Sequence, residues 1–143
     1  MGTEENKAVV RRFYEELANG RRYDLAEELM TADHRYIDPQ IPGVPAGPRG
    51  MAEALRVYQE GVEGRWAIED MVAESDRVAV RWRGTGRHTG TVNGIPPTGR
   101  PVDVSAVSIH RLEGGKIAEN WTVWDTLTFL QQLGVAPAPG QAE

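Results

Sequence analysis

From Trp66 to Trp124 the chain reads as four successive segments in which apolar residues recur at every second position, and this period-two run constrains the fold more than any other feature. Trp66, Ile68 and Val72 mark the first segment, and Val78, Val80 and Trp82 the second. The third is "VDVSAVSIHRL" and the fourth "IAENWTVW". A period of two is that of an extended strand with one face buried. The last two segments are joined only by "EGGK", too short for anything but a tight hairpin, so they are predicted to be adjacent and antiparallel. Asn120, Thr122 and Trp124 then share one side of the final strand, and pairing across the turn sets Ala106, Ser108 and His110 beside them. A slip of one residue would present Val107 and Ile109 instead, an apolar surface suited to packing or to a dimer contact.

The first half carries the helical period. Val9, Val10, Phe13, Tyr14 and Leu17 line one face of a helix predicted over residues 4–19, with Thr3 as N-cap and Gly20 as stop. Asp24 with Glu27, then Leu29 and Met30, reads as a second, short helix with a capping-box start. "HRYIDPQIPGVPAGPRG" holds four of the nine prolines, so after a short extended piece, Arg35 to Asp38, the chain must loop. A third helix, from about Met51 to Gly61, buries Leu55, Tyr58 and Val62, and Asp125 caps a closing helix with Leu127, Phe129, Leu130 and Leu133, ended by Gly134.

Three helices followed by four strands predict one α+β domain over residues 1–143, with the helices on one face of a strongly curved antiparallel sheet. Gly84 and Gly86, inside the second strand, are where such a sheet bends. A bent sheet with helices across its hollow side encloses a cone, a place for a small apolar ligand.

Several functions are set aside by composition. A formal charge of −5 argues against a nucleic-acid partner, and the one basic stretch, "RWRGTGR", alternates Arg81, Arg83 and Arg87 as a solvated sheet face would. No apolar run approaches a bilayer span, and "MGTEENKAVV" lacks the layout of a signal peptide, so no membrane partner and a cytoplasmic location are expected. With no cysteine, thiolate chemistry and Cys-based metal sites are excluded, and His34, His88 and His110 are too scattered for a ligand motif, so no metal is expected. There is no GxSxG elbow and no P-loop, and the glycines of "GTGRHTG" begin inside a strand and open no helix.

Asp38 is the residue of most chemical interest. It leaves an extended segment, precedes Pro39, and reads either as a turn-initiating aspartate or as a carboxylate at the mouth of the cone, where loss of water makes it a stronger general base. Around it, Asn120, Ser108 and Thr122 are candidate partners for a developing oxyanion, completing the candidate catalytic set. His34, Tyr36, Trp82, His88, His110, Trp124 and Tyr14 are candidate substrate-binding residues, most of them on strand parity.

The motifs "GRHTG", "GIPPTGR", "GKIAENW" and "LQQLG", in this order, resemble the SnoaL-like polyketide cyclases and their ester cyclase relatives in the nuclear-transport-factor-2-like superfamily. The resemblance implies a cone-shaped α+β barrel, a homodimer through the sheet, no cofactor, and acid/base chemistry on a hydrophobic substrate. It also implies where this chain departs: the cyclases' last-strand aspartate falls on Thr122, and a histidine of the preceding strand falls on Ser108. "YIDPQIPG" is similar to the segment of ketosteroid isomerase that carries its base, which falls on Asp38. A carbonyl-directed cyclase, isomerase or dehydratase is therefore the expected function. A non-catalytic carrier of the same fold, or an epoxide-hydrolase-like hydrolase, is the alternative.

Overall fold

The computed structural model describes residues 2–140. The first helix, α1 (Thr3–Arg12), starts one residue earlier than its sequence signals suggest: Gly2 is the N-cap, its N–H bonded to Glu5 Oε1 at 3.1 Å, and Thr3 is already helical. The helix then widens into a π-helical segment, Phe13–Ala18, closed by the Asn19 N–H to Tyr14 carbonyl bond of 3.0 Å. Phe13, Tyr14, Leu17 and Ala18 are all buried there. Beyond it, the Asn19 side chain locks onto the Trp66 backbone, donating to its carbonyl at 2.7 Å and accepting from its N–H at 2.8 Å.

The second helix is shorter than its capping box suggests. A 3₁₀ turn (Tyr23–Leu25) leads into α2 (Ala26–Leu29), and Met30 opens a strand instead of ending the helix. That strand, β1 (Met30–Ile37), absorbs the short extended piece and becomes a fifth member of the sheet, pairing parallel with the last strand. Its residues show no clean alternation, because β1 takes its partner from the far end of the chain and carries Asp33 and Arg35 outside with His34 within. Helix α3 (Pro48–Val62) places Pro48 at its first turn, where a missing N–H costs nothing.

Strands β2 (Arg65–Glu74), β3 (Arg77–Arg87), β4 (Pro101–Glu113) and β5 (Lys116–Trp124) follow, and the sheet order is β1-β5-β4-β3-β2. The sheet is mostly antiparallel, curved, and left open between its edges β1 and β2. The helices lie against its hollow face. At Gly86 a Cβ would sit 1.9 Å from the Val62 carbonyl, so glycine is what lets the end of α3 settle on β3. Outside, Arg81 pairs with Glu69 at 2.8 Å, Arg83 with Asp103, and Arg87 donates to the Gly99 carbonyl at 2.7 Å, the solvated basic face expected. Helix α4 (Thr126–Leu133) is capped by Asp125, which accepts from Thr128 N–H at 3.0 Å, and closed by left-handed Gly134. No described helix is long and apolar enough to cross a membrane.

The register of the last hairpin puts the polar face inward. Ala106 pairs with Trp124, Ser108 with Thr122 and His110 with Asn120, and β4 alternates buried and exposed along most of its length. Trp121, Val107 and Val123 face out.

Candidate functional site

Between the hollow face of the sheet, the first helix and α3 lies a pocket with about 720 Å³ of empty space counted to its mouth. Phe13, Met51, Leu55, Val62 and Phe129 make its apolar wall, and Arg65 is a charged, exposed side chain at its edge.

The strand pairings arrange the sheet-borne residues in transverse rows. Tyr36, Asn120, His110 and Val78 make one row, Thr122, Ser108 and Val80 the next, and Trp124, Ala106 and Trp82 a third. Two hydrogen-bonded chains run through these rows. In the first, Tyr14 Oη lies 2.7 Å from His110 Nε2, His110 Nδ1 meets Asn120 Oδ1, and Asn120 Nδ2 reaches Met51 Sδ at 3.2 Å. An amide oxygen on Nδ1 fixes the neutral tautomer: Nδ1–H donates to Asn120, so Nε2 accepts the Tyr14 hydrogen. Burial lowers the His110 pKa to about 4, with Asn120 opposing, so the ring is neutral near pH 7. Burial also pushes the Tyr14 phenol above its ordinary value, opposed by the Ser108 hydroxyl.

In the second chain, Trp82 Nε1 donates to Ser108 Oγ at 2.9 Å, and Ser108 Oγ lies 2.7 Å from Thr122 Oγ1. The two hydroxyls share one hydrogen between them, which leaves one hydroxyl hydrogen for another acceptor. Ser108, His110, Asn120 and Thr122 are all at most 4% exposed.

Asp38 is buried just beyond the cavity wall. Its Oδ2 accepts from Tyr36 Oη at 2.6 Å and Tyr58 Oη at 2.8 Å, and its Oδ1 from the Gln40 N–H at 2.9 Å. Tyr36 and Tyr58 line the pocket, and Asp38 stands behind them. Burial, then the neighbouring groups including Asp38, raises both phenol pKa values, so both hydroxyls keep their hydrogens.

Of the sequence-derived candidates, Asn120, Ser108, Thr122, Tyr14, Tyr36, Trp82, His110 and Trp124 meet at this cavity. His34 and His88 are fully buried elsewhere and are not in its wall. His88 Nδ1 accepts the Thr98 N–H at 3.1 Å and lies 3.0 Å from the Thr98 hydroxyl, holding the loop that carries "GIPPTG" against the end of β3. Among the described residues, His34 has no hydrogen-bond partner on either ring nitrogen. Asp103 is on the outer face with Arg83. Tyr58 was read from helical spacing only as a buried residue. Its spacing from Leu55 and Val62 marks the inward face of α3, but nothing local marks the carboxylate its hydroxyl meets, twenty residues back in the chain.

The sequence matches the family model described as SnoaL-like polyketide cyclase over residues 8–133. The chain is 29% identical over 131 residues to the aklanonic acid methyl ester cyclase DauD of Streptomyces sp. (strain C5), covering 88% of this chain and 80% of that protein. It is 27% identical over 132 residues to the aklanonic acid methyl ester cyclase DnrD of Streptomyces peucetius, covering 88% of each. Among solved structures, TsrD of Streptomyces laurentii superposes with a TM-score of 0.85 at 26% identity, covering 95% of this chain and 99% of that one. A candidate SnoaL-like polyketide cyclase from Jannaschia sp. CCS1 gives the same TM-score at 28% identity, covering 94% and 95%. With the family model spanning most of its length and the same fold in these neighbours, the chain belongs to the SnoaL-like polyketide cyclase family.

Proposed function

We propose that this protein is an acid/base enzyme, working without a cofactor, that acts on a small hydrophobic molecule bearing a carbonyl group. Ring closure by aldol addition, isomerisation and dehydration all begin with removal of a proton next to a carbonyl, and all need an oxyanion held as it forms. The observation that carries the reading is the apolar cavity whose wall couples, through Tyr36 and Tyr58, to the buried Asp38 carboxylate. In this scheme Asp38 is the final proton acceptor. A proton leaving carbon arrives at a tyrosine oxygen as that tyrosine's own hydrogen passes to Oδ2. Asn120 has one amide hydrogen on Met51 and one to spare, and with the spare hydroxyl hydrogen of Ser108 and Thr122 it holds the oxyanion. Trp82, Trp124 and Tyr36 clasp the apolar body, with Tyr14 fixing His110 behind it. Thr122 and Ser108 themselves titrate nowhere near neutral pH, so the base is assigned to Asp38.

Two copies pair in this reading through the outer sheet face, where Val107, Trp121 and Val123 are each about two-fifths exposed. The test of the chemistry is turnover of aklanonic acid methyl ester, the compound named for both curated relatives, followed by chromatography. Wild type is expected to convert it or a related enolisable polyketide ester. Asp38→Asn is expected to lose about 10²-fold or more in kcat while melting at nearly the same temperature. Unchanged turnover by a folded Asp38→Asn protein would remove Asp38 from the mechanism. A wild type that binds such esters and converts none would make the protein a carrier.

A further inference from the structure

The wall that separates the cavity from Asp38 has a definite hydrogen-bonding sense. Tyr36 comes from β1 and Tyr58 from α3, yet both hydroxyls converge on the same oxygen, Oδ2. A carboxylate oxygen offers two in-plane lone pairs, so Oδ2 is saturated by the two phenols, and Oδ1 is engaged by Gln40 N–H. A phenol has one hydrogen. Each of these phenols spends it on Asp38, away from the cavity, and therefore presents oxygen lone pairs to whatever the cavity holds. Hydrogen bonds in series polarise one another, so a phenol that donates to a carboxylate is a better acceptor than a free one.

This fixes what fits there. A ketone or ester oxygen would meet lone pairs with lone pairs, and an anion would meet a carboxylate one atom further back. An O–H group completes the series. We propose that Tyr36 and Tyr58 form an acceptor subsite for an acidic hydroxyl of the bound molecule, a phenol or an enol, with Asp38 as the positioning residue behind them. The proposal rests on the reading of the cavity as a ligand pocket and names the functional group that lies against this wall. It also orients the ligand. Its hydroxyl lies towards Tyr36 and Tyr58, and its carbonyl towards the donors of Asn120, in the row of Tyr36, and of the Ser108–Thr122 pair one row on.

The probes are 2-naphthol, 2-methoxynaphthalene and naphthalene, which share one ring system and differ in whether they offer an O–H. Binding of each is measured by isothermal titration or by ligand fluorescence at pH 7. Wild type is expected to bind 2-naphthol at least about 10-fold more tightly than either control, the effect of one hydrogen bond assisted by charge. Tyr36→Phe and Tyr58→Phe should each cut that preference several-fold and the double variant should abolish it, with naphthalene affinity unchanged within about 2-fold. Asp38→Asn should weaken the preference while both tyrosines remain, which a merely space-filling role for Asp38 would not do. Equal affinity for the three probes in wild type, or a preference that survives the double variant, would overturn the proposal. If none of the probes binds, the ligand-pocket reading falls with it. Since turnover is not read, a protein with the expected preference but no catalysis would sustain this subsite and refute only the enzyme.

Discussion

Replacing His34 with leucine should stabilise the protein, and more so in acid. His34 sits on β1, is fully buried, and has no partner on Nδ1 or Nε2 among the described residues. A neutral imidazole carries one donor and one acceptor, and leaving a buried polar group unpaired costs about 1–3 kcal/mol. Leucine has similar volume and no such cost. Allowing for imperfect packing of the new side chain, His34→Leu should gain about 1–2 kcal/mol at pH 7.5. Acid adds a second effect. Burial first, then the neighbouring His110, lowers the His34 pKa from 6.5 to about 4, with Asp33 opposing. The folded chain therefore resists a proton that the unfolded chain accepts readily. As pH falls through 6.5 the unfolded state gains protons and stability drops, until the folded state also protonates near 4. At about 1.4 kcal/mol for each tenfold change in proton affinity, the whole effect is roughly 3 kcal/mol, most of it lost by pH 4.5. His110 follows the same course and remains in the variant. Urea unfolding at pH 7.5 and 4.5 reads both effects. The advantage of His34→Leu over wild type should widen by roughly 2 kcal/mol at the lower pH. A variant that is less stable at pH 7.5 and loses stability in acid as steeply as wild type would refute the reasoning, since His34 would then be satisfied or hydrated in solution.

Two further predictions follow from other contacts. Tyr14→Phe removes the hydrogen that His110 Nε2 accepts, leaving a fully buried acceptor unpaired, and should cost about 1–3 kcal/mol in urea unfolding at pH 7; no loss would mean that the ring is held by Asn120 alone. Trp121→Glu places a charge in the outer apolar patch, and if copies pair through that face, as proposed above, sedimentation velocity should find wild type a dimer and the variant a monomer; a monomeric wild type would remove the proposed sheet-face pairing.

How much of this was readable in the residues divides along the distance between partners. The adjacency of the last two strands was legible from "EGGK", and the pairing of Ser108 with Thr122 and His110 with Asn120 was one of two registers open; the turn alone does not choose it, because Glu113 pairs with Lys116 and the register shifts between Arg111 and Leu112 before these rows are reached. Asp125 announced its cap, since an N-cap acts within three residues. β1 was legible only as a fragment, because its strand character comes from β5, about 85 residues away, and a parallel partner leaves no turn between them as a mark. The inward phase of Tyr58 could be counted from Leu55 and Val62, but its bond to Asp38 depends on how α3 lies over the sheet. The same holds for Asp38, which read equally as a turn residue or as a carboxylate at the cavity mouth, and whose burial behind two phenols depends on where α3 and β1 meet. His34 shares the parity of Tyr36 and is turned inward as parity predicts, but it is buried outside the cavity wall, and parity gives the side of a strand without saying which part of the interior it meets.

The π-helical segment of the first helix acts as a vernier. Two points on that helix are fixed by partners on different strands: Tyr14 by His110 of β4, and Asn19 by both backbone groups of Trp66 at the start of β2. The strands set the spacing and angle between those two anchors, and an ordinary α-helical pitch, advancing about 100° per residue, can match only one such combination. The wide turn between Tyr14 and Asn19 lodges one residue more than an α-helix would, letting both anchors engage at once. Shortening the segment from Glu15 to Ala18 by a single residue would leave a sound helix that could hold either anchor, but not both.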